Sequence, residues 1–268
     1  MLGAIIGDLA GSIYEFDQVK NCHTIKINNI IEDNSFFSDD TILTIAIADA
    51  ILNNEDYEIK LKEYTITYEN KITTDIPYFK TMFSPNFINW AKSDYQGEST
   101  GNGAMMRISP VGFLFNTEED VIKNSYLATI PSHNSTEAVE AAKIISLIIF
   151  YARQGLSKQD ITNKLNLEIK KPNIKKFNYT CSDTIDVCLY SLFTSNSFEE
   201  SIRTAISFGG DTDTNACIVG SMAEAMFGID NELKNKVLAK LPADFKKVIK
   251  DFYNRINNQM HVQINEKS

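Results

Sequence analysis

Long apolar runs and basic surfaces are both missing from this sequence. No stretch approaches the roughly 20 consecutive apolar residues that a membrane-spanning helix needs, so we expect no membrane segment. Lys and Arg number 26 against 35 Asp and Glu, which gives a formal charge of −9. Because neutralising phosphates requires clustered Lys and Arg, this balance argues against a general nucleic-acid or anionic-membrane surface.

Cysteine is scarce, and its four positions lack the paired spacing of a zinc site: Cys22, Cys181, Cys188 and Cys217. Three of them lie in apolar segments, which is typical of reduced core cysteines in a cytoplasmic protein. The N-terminus is apolar but has no basic region and carries Asp8, which is unlike a signal peptide. We therefore expect a cytoplasmic protein.

Linkers are also missing. Only six prolines and twelve glycines occur in 268 residues, and no Pro/Gly/Ser-rich tract, low-complexity segment or internal repeat divides the chain. With 43% hydrophobic residues, a chain of this length can bury one large core. We expect a single domain over residues 1–268, acting as a monomer.

What the sequence does contain is helix after helix. Residues 42–52 are apolar almost all round, which predicts a central helix buried on every side. Asn134 with Glu137 predicts a capping box before a long helix over residues 138–153. Ser157 and Ser197, each followed three residues later by an acid, predict two further helix starts. Strand signals are weak, so we expect an all-α fold.

Two short acidic clusters lie far apart in the sequence, and each precedes an apolar run. The first is Ser38-Asp39-Asp40-Thr41, and the second runs from Gly209 through Asp211-Thr212-Asp213-Thr214. If the fold brings them together, four carboxylates converge with flanking hydroxyls. Such hard oxygen ligands suit Mg²⁺ or Mn²⁺ far better than zinc, and they are typical of a two-metal hydrolytic site.

Simple helix capping is the alternative interpretation of both clusters. Ser38 is a good N-cap, and Asp39 and Asp40 in the first turn complement the helix dipole. Capping alone, however, requires one polar residue at the cap and not a doubled acid followed by a hydroxyl in two places. The two interpretations stay open at this point.

The order of several motifs resembles the ADP-ribosylglycohydrolase family. The matching segments begin with Gly3-Ala4-Ile5-Ile6-Gly7-Asp8 and Gly11-Ser12-Ile13-Tyr14-Glu15, and continue with Phe37-Ser38-Asp39-Asp40-Thr41, Gly101-Asn102-Gly103-Ala104-Met105-Met106-Arg107, Ser132-His133-Asn134 and the stretch from Ile206 to Thr214. The resemblance implies an all-α fold and a metal-dependent hydrolase that releases ADP-ribose from a modified protein side chain or a small conjugate.

The resemblance also implies a ligand set for two divalent ions, Mg²⁺ or Mn²⁺: Ser38, Asp39, Asp40, Asp211, Asp213 and Thr214. Asp213 is the natural bridge between the ions. Glu15 matches a glutamate that contacts the second metal in one branch of the family, although by itself it would read as a surface residue. Asp39 and Glu15 are the candidates for general acid and base, and their roles are not separated.

Substrate-binding residues follow from the same resemblance: Ser99, Thr100, Gly101, Asn102, Gly103 and His133. Residues Ser99 to Gly103 form a loop, called here the glycine loop, that could present backbone N–H groups to a diphosphate. By itself this segment is typical of a turn. Thr100 replaces a tyrosine that packs against adenine in relatives, and Tyr95 is a candidate substitute. His133 by itself would more often be structural, and Arg107 is interpreted as an internal ion-pair partner.

Two alternatives to this enzyme remain from the sequence. One is a non-catalytic ADP-ribose-binding or structural relative of the family, against which the intact acidic clusters weigh. The other is a different metal hydrolase, for example of phosphoesters, on the same scaffold. The acceptor from which ADP-ribose is removed has no readable signature in the sequence.

Overall fold

The computed structural model describes residues 1–19, 22–71, 74 and 81–266. Its helices, in chain order, are α1 (Leu2–Gly11), α2 (Glu15–Gln18), α3 (Asp39–Asn53), α4 (Tyr57–Tyr68), α5 (Pro85–Ala91), α6 (Gly103–Met106), α7 (Ser109–Leu114), α8 (Glu118–Thr129), α9 (Thr136–Arg153), α10 (Lys158–Lys164), α11 (Cys181–Thr194), α12 (Phe198–Ser207), α13 (Thr212–Phe227), α14 (Asn231–Lys240) and α15 (Ala243–Glu266). Over these residues β-pairing is limited to two isolated bridges. The all-α prediction is confirmed.

The predicted central helix is α3, and it is buried from Asp40 to Ala48. The pattern in residues 42–52 therefore identified a core helix, with Asp49 and Leu52 facing outward enough to be half-buried. A second helix, α13, is buried from Thr212 to Ala223 and contacts α1, α3, α9, α11 and α12. Helix α1 is buried over its whole length, so α1, α3 and α13 together form the centre of the molecule.

Helices α1 and α13 cross at very short range because α1 carries glycine at every fourth position. A Cβ added to Gly3, Gly7 or Gly11 would lie 2.0–2.2 Å from a backbone oxygen of α13. Side chains at i, i+4 and i+8 share one face of a helix, so these glycines form a groove that admits the backbone of α13. This close approach positions Asp8, next to Gly7, beside the N-terminus of α13.

Helix starts follow the predicted caps with one correction. Ser157 begins α10 with a complete capping box to Asp160, and the Ser197 hydroxyl accepts the N–H of Glu200 at the start of α12. The predicted Asn134 cap is wrong by one residue, because Ser135 is the N-cap of α9 and accepts the N–H of Ala138. Asn134 instead donates its backbone N–H to Gly97 O, which ties the loop before α9 to the cavity wall.

None of the helices among the described residues is both long and apolar enough to cross a membrane. The helices pack on one common core, which extends from α1 to Phe252 of α15. A cavity lies at the N-terminal ends of α3 and α13.

Candidate active site

Three helices bring the two acidic clusters together. Ser38 is the N-cap of α3 and Asp211 is the N-cap of α13, so the carboxylates that follow each cap lie at helix N-termini. The hydroxyl of Thr214 donates to Asp40 Oδ2 at 3.3 Å, which links the two clusters directly. The positive ends of both helix dipoles therefore face one group of carboxylates, an arrangement that favours negative charge there.

Asp8 of α1 completes this group, although the sequence interpretation did not assign it to the acidic site. Its Oδ2 accepts the backbone N–H groups of Ser38 (2.9 Å) and Thr41 (3.1 Å) and the Thr41 hydroxyl (2.5 Å). Its Oδ1 lies 2.9 Å from Ser38 Oγ. The signal was a lone acid in an otherwise apolar helix, a position where a carboxylate must find partners.

The carboxylates form two triads that share one member. Asp8, Asp40 and Asp213 each offer an oxygen within 4.8 Å of the others, and Glu15, Asp211 and Asp213 do the same. Asp213, predicted as the bridge, is the shared residue. Asp39 belongs to neither triad; it is half-buried and lines the adjoining cavity with Glu15.

This donor set fits divalent cations. Asp40 Oδ1 is buried and has no hydrogen-bond partner among the described residues, which is a costly state for a carboxylate oxygen. Carboxylate and hydroxyl oxygens are the preferred ligands of Mg²⁺ and Mn²⁺, and His or Cys is absent from both triads. A cation would satisfy the unpaired oxygen and compensate the charge.

Burial raises the pKa of every carboxyl in the cluster. It raises the pKa of Asp8 to about 6, against the hydrogen bonds from Thr41 and Ser38 that lower it. Burial, then the neighbouring Asp8, raises the pKa of Asp39 to about 7; burial, then Glu15, does the same for Asp211. The pKa values of Glu15, Asp40 and Asp213 are raised well above their ordinary range by burial and then by neighbouring acids. Without a cation, carboxyl groups of the cluster therefore stay protonated at pH values at which an exposed carboxyl group is ionised.

The acidic cluster forms one wall of a cavity of about 900 Å³. All the residues predicted to bind substrate line it: Ser99, Thr100, Gly101, Asn102, Gly103 and His133. Aromatic side chains line it as well: Phe16, Phe83, Phe87, Trp90, Tyr95 and Tyr179. A cavity of this size and mixed lining is typical of a site for a small organic ligand.

The glycine loop is tied to the acidic cluster through Asn102. Its side-chain Nδ2 donates to Asp211 Oδ2 at 2.7 Å and is buried. Its backbone N–H donates to Tyr179 O at 2.9 Å. The Asn102 amide thus orients Asp211, an acid of the second triad. The sequence interpretation assigned Asn102 to substrate binding and did not foresee this contact.

His133 lies behind the same loop. A Cβ at Gly103 would lie 3.3 Å from its Nε2, a tight contact, so the loop and the ring are close neighbours. Arg107 Nη2 donates to Ser132 Oγ (2.7 Å), and Ser132 Oγ lies 2.7 Å from His133 Nδ1. This relay makes Nδ1 the acceptor and directs an Nε2–H towards the glycine loop. Burial, then the Arg107 charge, lowers the pKa of His133 well below its ordinary value, so the ring is neutral.

Arg107 does not have the ion-pair partner that the sequence interpretation gave it, as far as the described residues show. Arg107 is fully buried, but its hydrogen bonds go to Ser132 and His133, and no carboxylate there lies within ion-pair distance. Its guanidinium carbon lies 5.6 Å from the centre of the Phe87 ring, a cation–π contact. Arg107 therefore holds Ser132, His133 and Phe87 together at this side of the cavity.

The chain is similar to several known proteins. The chain is 21% identical to the ADP-ribosylhydrolase ARH3 of Mus musculus over an alignment of 307 residues, covering 86% of this chain and 83% of that protein. It is 22% identical to the ADP-ribosylarginine hydrolase Tri1 of Pseudomonas putida (strain GB-1), covering 85% and 70%. A solved structure described as an ADP-ribosylglycohydrolase-related protein complex shares the fold, with a TM-score of 0.71, 19% identity and coverage of 95% and 97%.

A family model described as ADP-ribosylglycohydrolase matches residues 1–264. The match includes α1, α3 and α13, the three helices whose acids meet at the cavity. A match over this length shows the family: the chain belongs to the ADP-ribosylglycohydrolases and is a glycohydrolase of that family.

Proposed function

We propose that this protein hydrolyses the glycosidic bond between ADP-ribose and a modified acceptor, in a reaction that depends on two divalent ions, Mg²⁺ or Mn²⁺. The observation that carries the proposal is the pair of carboxylate triads that share Asp213 at the wall of a ligand-sized cavity. Each triad would offer carboxylate oxygens to one ion, and Asp213 is common to the two. The acceptor is a protein side chain or a small conjugate.

In this proposal the first ion would be held by Asp8, Asp40 and Asp213 with the Ser38 and Thr214 hydroxyls, and the second by Glu15, Asp211 and Asp213. Asp39, which the resemblance includes in the ligand set, lies outside both triads and keeps the proton-transfer role. When bound, the ions would orient the ribose hydroxyls and lower the pKa of a water molecule next to the anomeric carbon. Asn102 would hold Asp211 in place through its 2.7 Å hydrogen bond. Asp8 would also anchor the start of α3, since its oxygens accept hydrogen bonds from Ser38 and Thr41.

Glu15 and Asp39 are the proposed proton-transfer groups. Cleavage at the anomeric carbon builds oxocarbenium character, so one group must take a proton from water and another must protonate the leaving acceptor. Both side chains are half-buried and line the cavity; burial raises the pKa of Asp39 to about 7, and burial, then the neighbouring Asp213, raises the pKa of Glu15 above its ordinary range. A carboxyl with a raised pKa can hold a proton at neutral pH and donate it.

The glycine loop and His133 are the proposed contacts for the diphosphate. Gly101 and Gly103 allow a phosphate to approach the backbone closely, and the His133 Nε2–H points towards the same loop. Because His133 is neutral, it would contribute a hydrogen bond and not a charge. We propose that the protein works in the cytoplasm, in line with its four free cysteines, and as a monomer.

The test is release of free ADP-ribose from defined substrates. Peptides carrying ADP-ribose on arginine or on serine are incubated with protein and with Mg²⁺, Mn²⁺ or EDTA, and the products are resolved by chromatography and mass spectrometry. We expect free ADP-ribose and an unmodified peptide for at least one linkage, with Mg²⁺ or Mn²⁺ and not with EDTA. ADP-ribose binding without turnover on either peptide would contradict the proposal and indicate a non-catalytic relative.

A further inference from the structure

Two consecutive glycines direct the chain into α13. Gly209 and Gly210 have φ values of +74° and +76°, in the left-handed region that favours glycine. Asp211 follows them as the N-cap of α13, but its side chain makes no capping hydrogen bond. The contact that usually fixes an N-cap side chain is therefore missing at Asp211. Because glycine is also the most flexible residue, the position of Asp211 depends on contacts from outside this turn.

Asn178, in the segment before α11, makes such a contact. Its Oδ1 accepts the backbone N–H of Asp211 at 2.9 Å, and the residue is 1% exposed. A Cβ at Gly210 would lie 2.0 Å from the same Oδ1, so the amide reaches the turn only because residue 210 is glycine. The Asn178 side chain thus packs directly against the turn that carries Asp211.

The Asn178 amide is itself fixed by further hydrogen bonds. Its Nδ2 donates to Asn215 Oδ1 at 2.8 Å and to Thr184 Oγ1 of α11 at 3.2 Å. Asn215 lies near the start of α13 and donates its own Nδ2 to Gly209 O at 3.2 Å. An amide whose oxygen and nitrogen are both paired is held in one orientation, so Asn178 joins α11 and α13 to the glycine turn.

Asp211 is held at its backbone and at its carboxylate by neighbouring groups. The Asn178 side chain binds its N–H, and the Asn102 amide, which donates to Asp211 Oδ2, also lies 3.4 Å from Asn178 O. Asp211 is a member of the second triad, with Glu15 and Asp213, and not of the first. A change at Asn178 should therefore affect the second proposed ion site more than the first.

We propose that Asn178 is a positioning residue for the second ion, an inference that rests on the proposed function. Asn178 lies behind the cavity lining and fixes the backbone that presents Asp211, without touching the ion or the substrate. Groups that orient the ligands of a metal ion matter nearly as much as the ligands, and their loss typically weakens metal binding about 10- to 100-fold. Asn178 would therefore decide how tightly the second ion is held.

The experiment measures Mn²⁺ binding to metal-free protein by calorimetry for the wild type, Asn178→Ala, Asn178→Ser and Asn124→Ala. Asn124 is a matched control on α8, because its half-buried side chain also makes two hydrogen bonds, with Tyr57 and Asp120, and lies outside the cavity. We expect two Mn²⁺ ions per wild-type chain. Both Asn178 variants should bind one ion within threefold of the wild type and the other about 10- to 100-fold more weakly. Asn124→Ala should bind both ions within twofold of the wild type.

Two further readouts separate positioning from general damage. Asn178→Asp keeps an oxygen that can accept the Asp211 N–H, so it should bind both ions within threefold of the wild type. Turnover by Asn178→Ala should require about 10- to 100-fold more Mn²⁺ and then approach the wild-type kcat, because the ligands themselves are intact. Asn178→Ser keeps a small polar side chain at the buried position, so it provides the test where Asn178→Ala does not fold.

Wild-type affinity for both ions in a folded Asn178→Ala or Asn178→Ser would overturn this inference alone. An equal loss at both ion sites would also overturn it, since that result indicates a general disturbance of the fold. A wild type that binds fewer than two Mn²⁺ ions, or that releases no ADP-ribose from the modified peptides, would overturn the proposed function with it.

Discussion

At the scale of single residues, Asp213 has the most demanding position, because it is the member common to both carboxylate triads. We predict that Asp213→Asn, which keeps the shape and removes the charge, abolishes turnover and weakens divalent-ion binding. Asp39→Ala should also abolish turnover through loss of a proton-transfer group. Release of ADP-ribose from a modified peptide measures the turnover of both variants.

The control for these variants is Asp251→Asn on α15, a half-exposed aspartate outside the cavity that pairs with Lys247. It should retain wild-type turnover, since a surface ion pair contributes little to stability. Near-normal activity of Asp213→Asn with Mg²⁺ or Mn²⁺ present would contradict the two-ion proposal.

His133 gives a prediction about pH. The pKa of the buried ring lies well below its ordinary value of 6.5, so below about pH 6.5 the unfolded chain binds a proton that the folded protein does not. The difference in unfolding free energy between the wild type and His133→Gln should therefore have its full value above pH 6.5. It should fall by up to about 1.4 kcal/mol per pH unit as the pH decreases from 6 to 5.

Urea unfolding of the wild type and His133→Gln at pH 7.5, 6.5 and 5.5 measures this difference. Groups other than residue 133 titrate alike in both proteins and cancel in the comparison. A difference in unfolding free energy that stays constant over this range would show that His133 becomes protonated as easily in the folded protein as in the unfolded chain.

At the scale of helices, the crossing of α1 and α13 determines the distance between Asp8 and Asp213. A methyl group at Gly7 would lie 2.0 Å from Ala216 O, a separation that only a backbone shift can relieve. We predict that Gly7→Ala lowers the free energy of unfolding by about 3 kcal/mol and reduces activity even where the protein is folded. Denaturant unfolding and turnover at a permissive temperature measure the two effects.

Gly155→Ala separates crowding from backbone conformation. Gly155 has φ +84°, and a Cβ there would meet nothing within 4 Å. Its replacement should cost about 1–2 kcal/mol from the left-handed backbone alone and leave the activity of the folded protein unchanged. If Gly7→Ala were no more damaging than Gly155→Ala, close packing of α1 on α13 would not be what positions the site.

At the scale of the whole molecule, the carboxylate cluster joins α1, α3 and α13 at a point where like charges repel. Divalent ions that bind only the folded protein stabilise it by about 2.7 kcal/mol per site at a hundred times the Kd. We predict that saturating Mg²⁺ or Mn²⁺ raises the Tm by roughly 5–10 °C over protein in EDTA, measured at matched ionic strength.

The matched variant for this measurement is Asp213→Asn, in which the shift should be much smaller because both proposed ion sites lose a ligand. An identical Tm with and without EDTA in the wild type would count against tight ion binding by the native state. The single domain over residues 1–268 stays a prediction, and a single cooperative transition by both calorimetry and circular dichroism would support it.

The local features of this protein could be read from its sequence. The apolar run in residues 42–52 identified α3, because a helix without a polar face has to be buried, and the acids after Ser38 and Gly210 marked two helix starts. Ser157 and Ser197 caps were recognisable since capping depends on residues within one turn. The family was recognisable because its motifs keep their order along the chain.

Tertiary structure alone decided how those features meet. Asp8 joins the acids of α3 and α13 only because three glycines let two helix backbones approach closely, and no local pattern records the partner of such a groove. The pairing of Thr100 with Cys181, which sets Tyr179 beside the glycine loop, joins segments about 80 residues apart. Arg107 likewise looked like an ion-pair partner until its position beside Ser132 and His133 was known. Long-range contacts of this kind depend on the packing of the whole core, whereas helices and caps depend on neighbours in sequence.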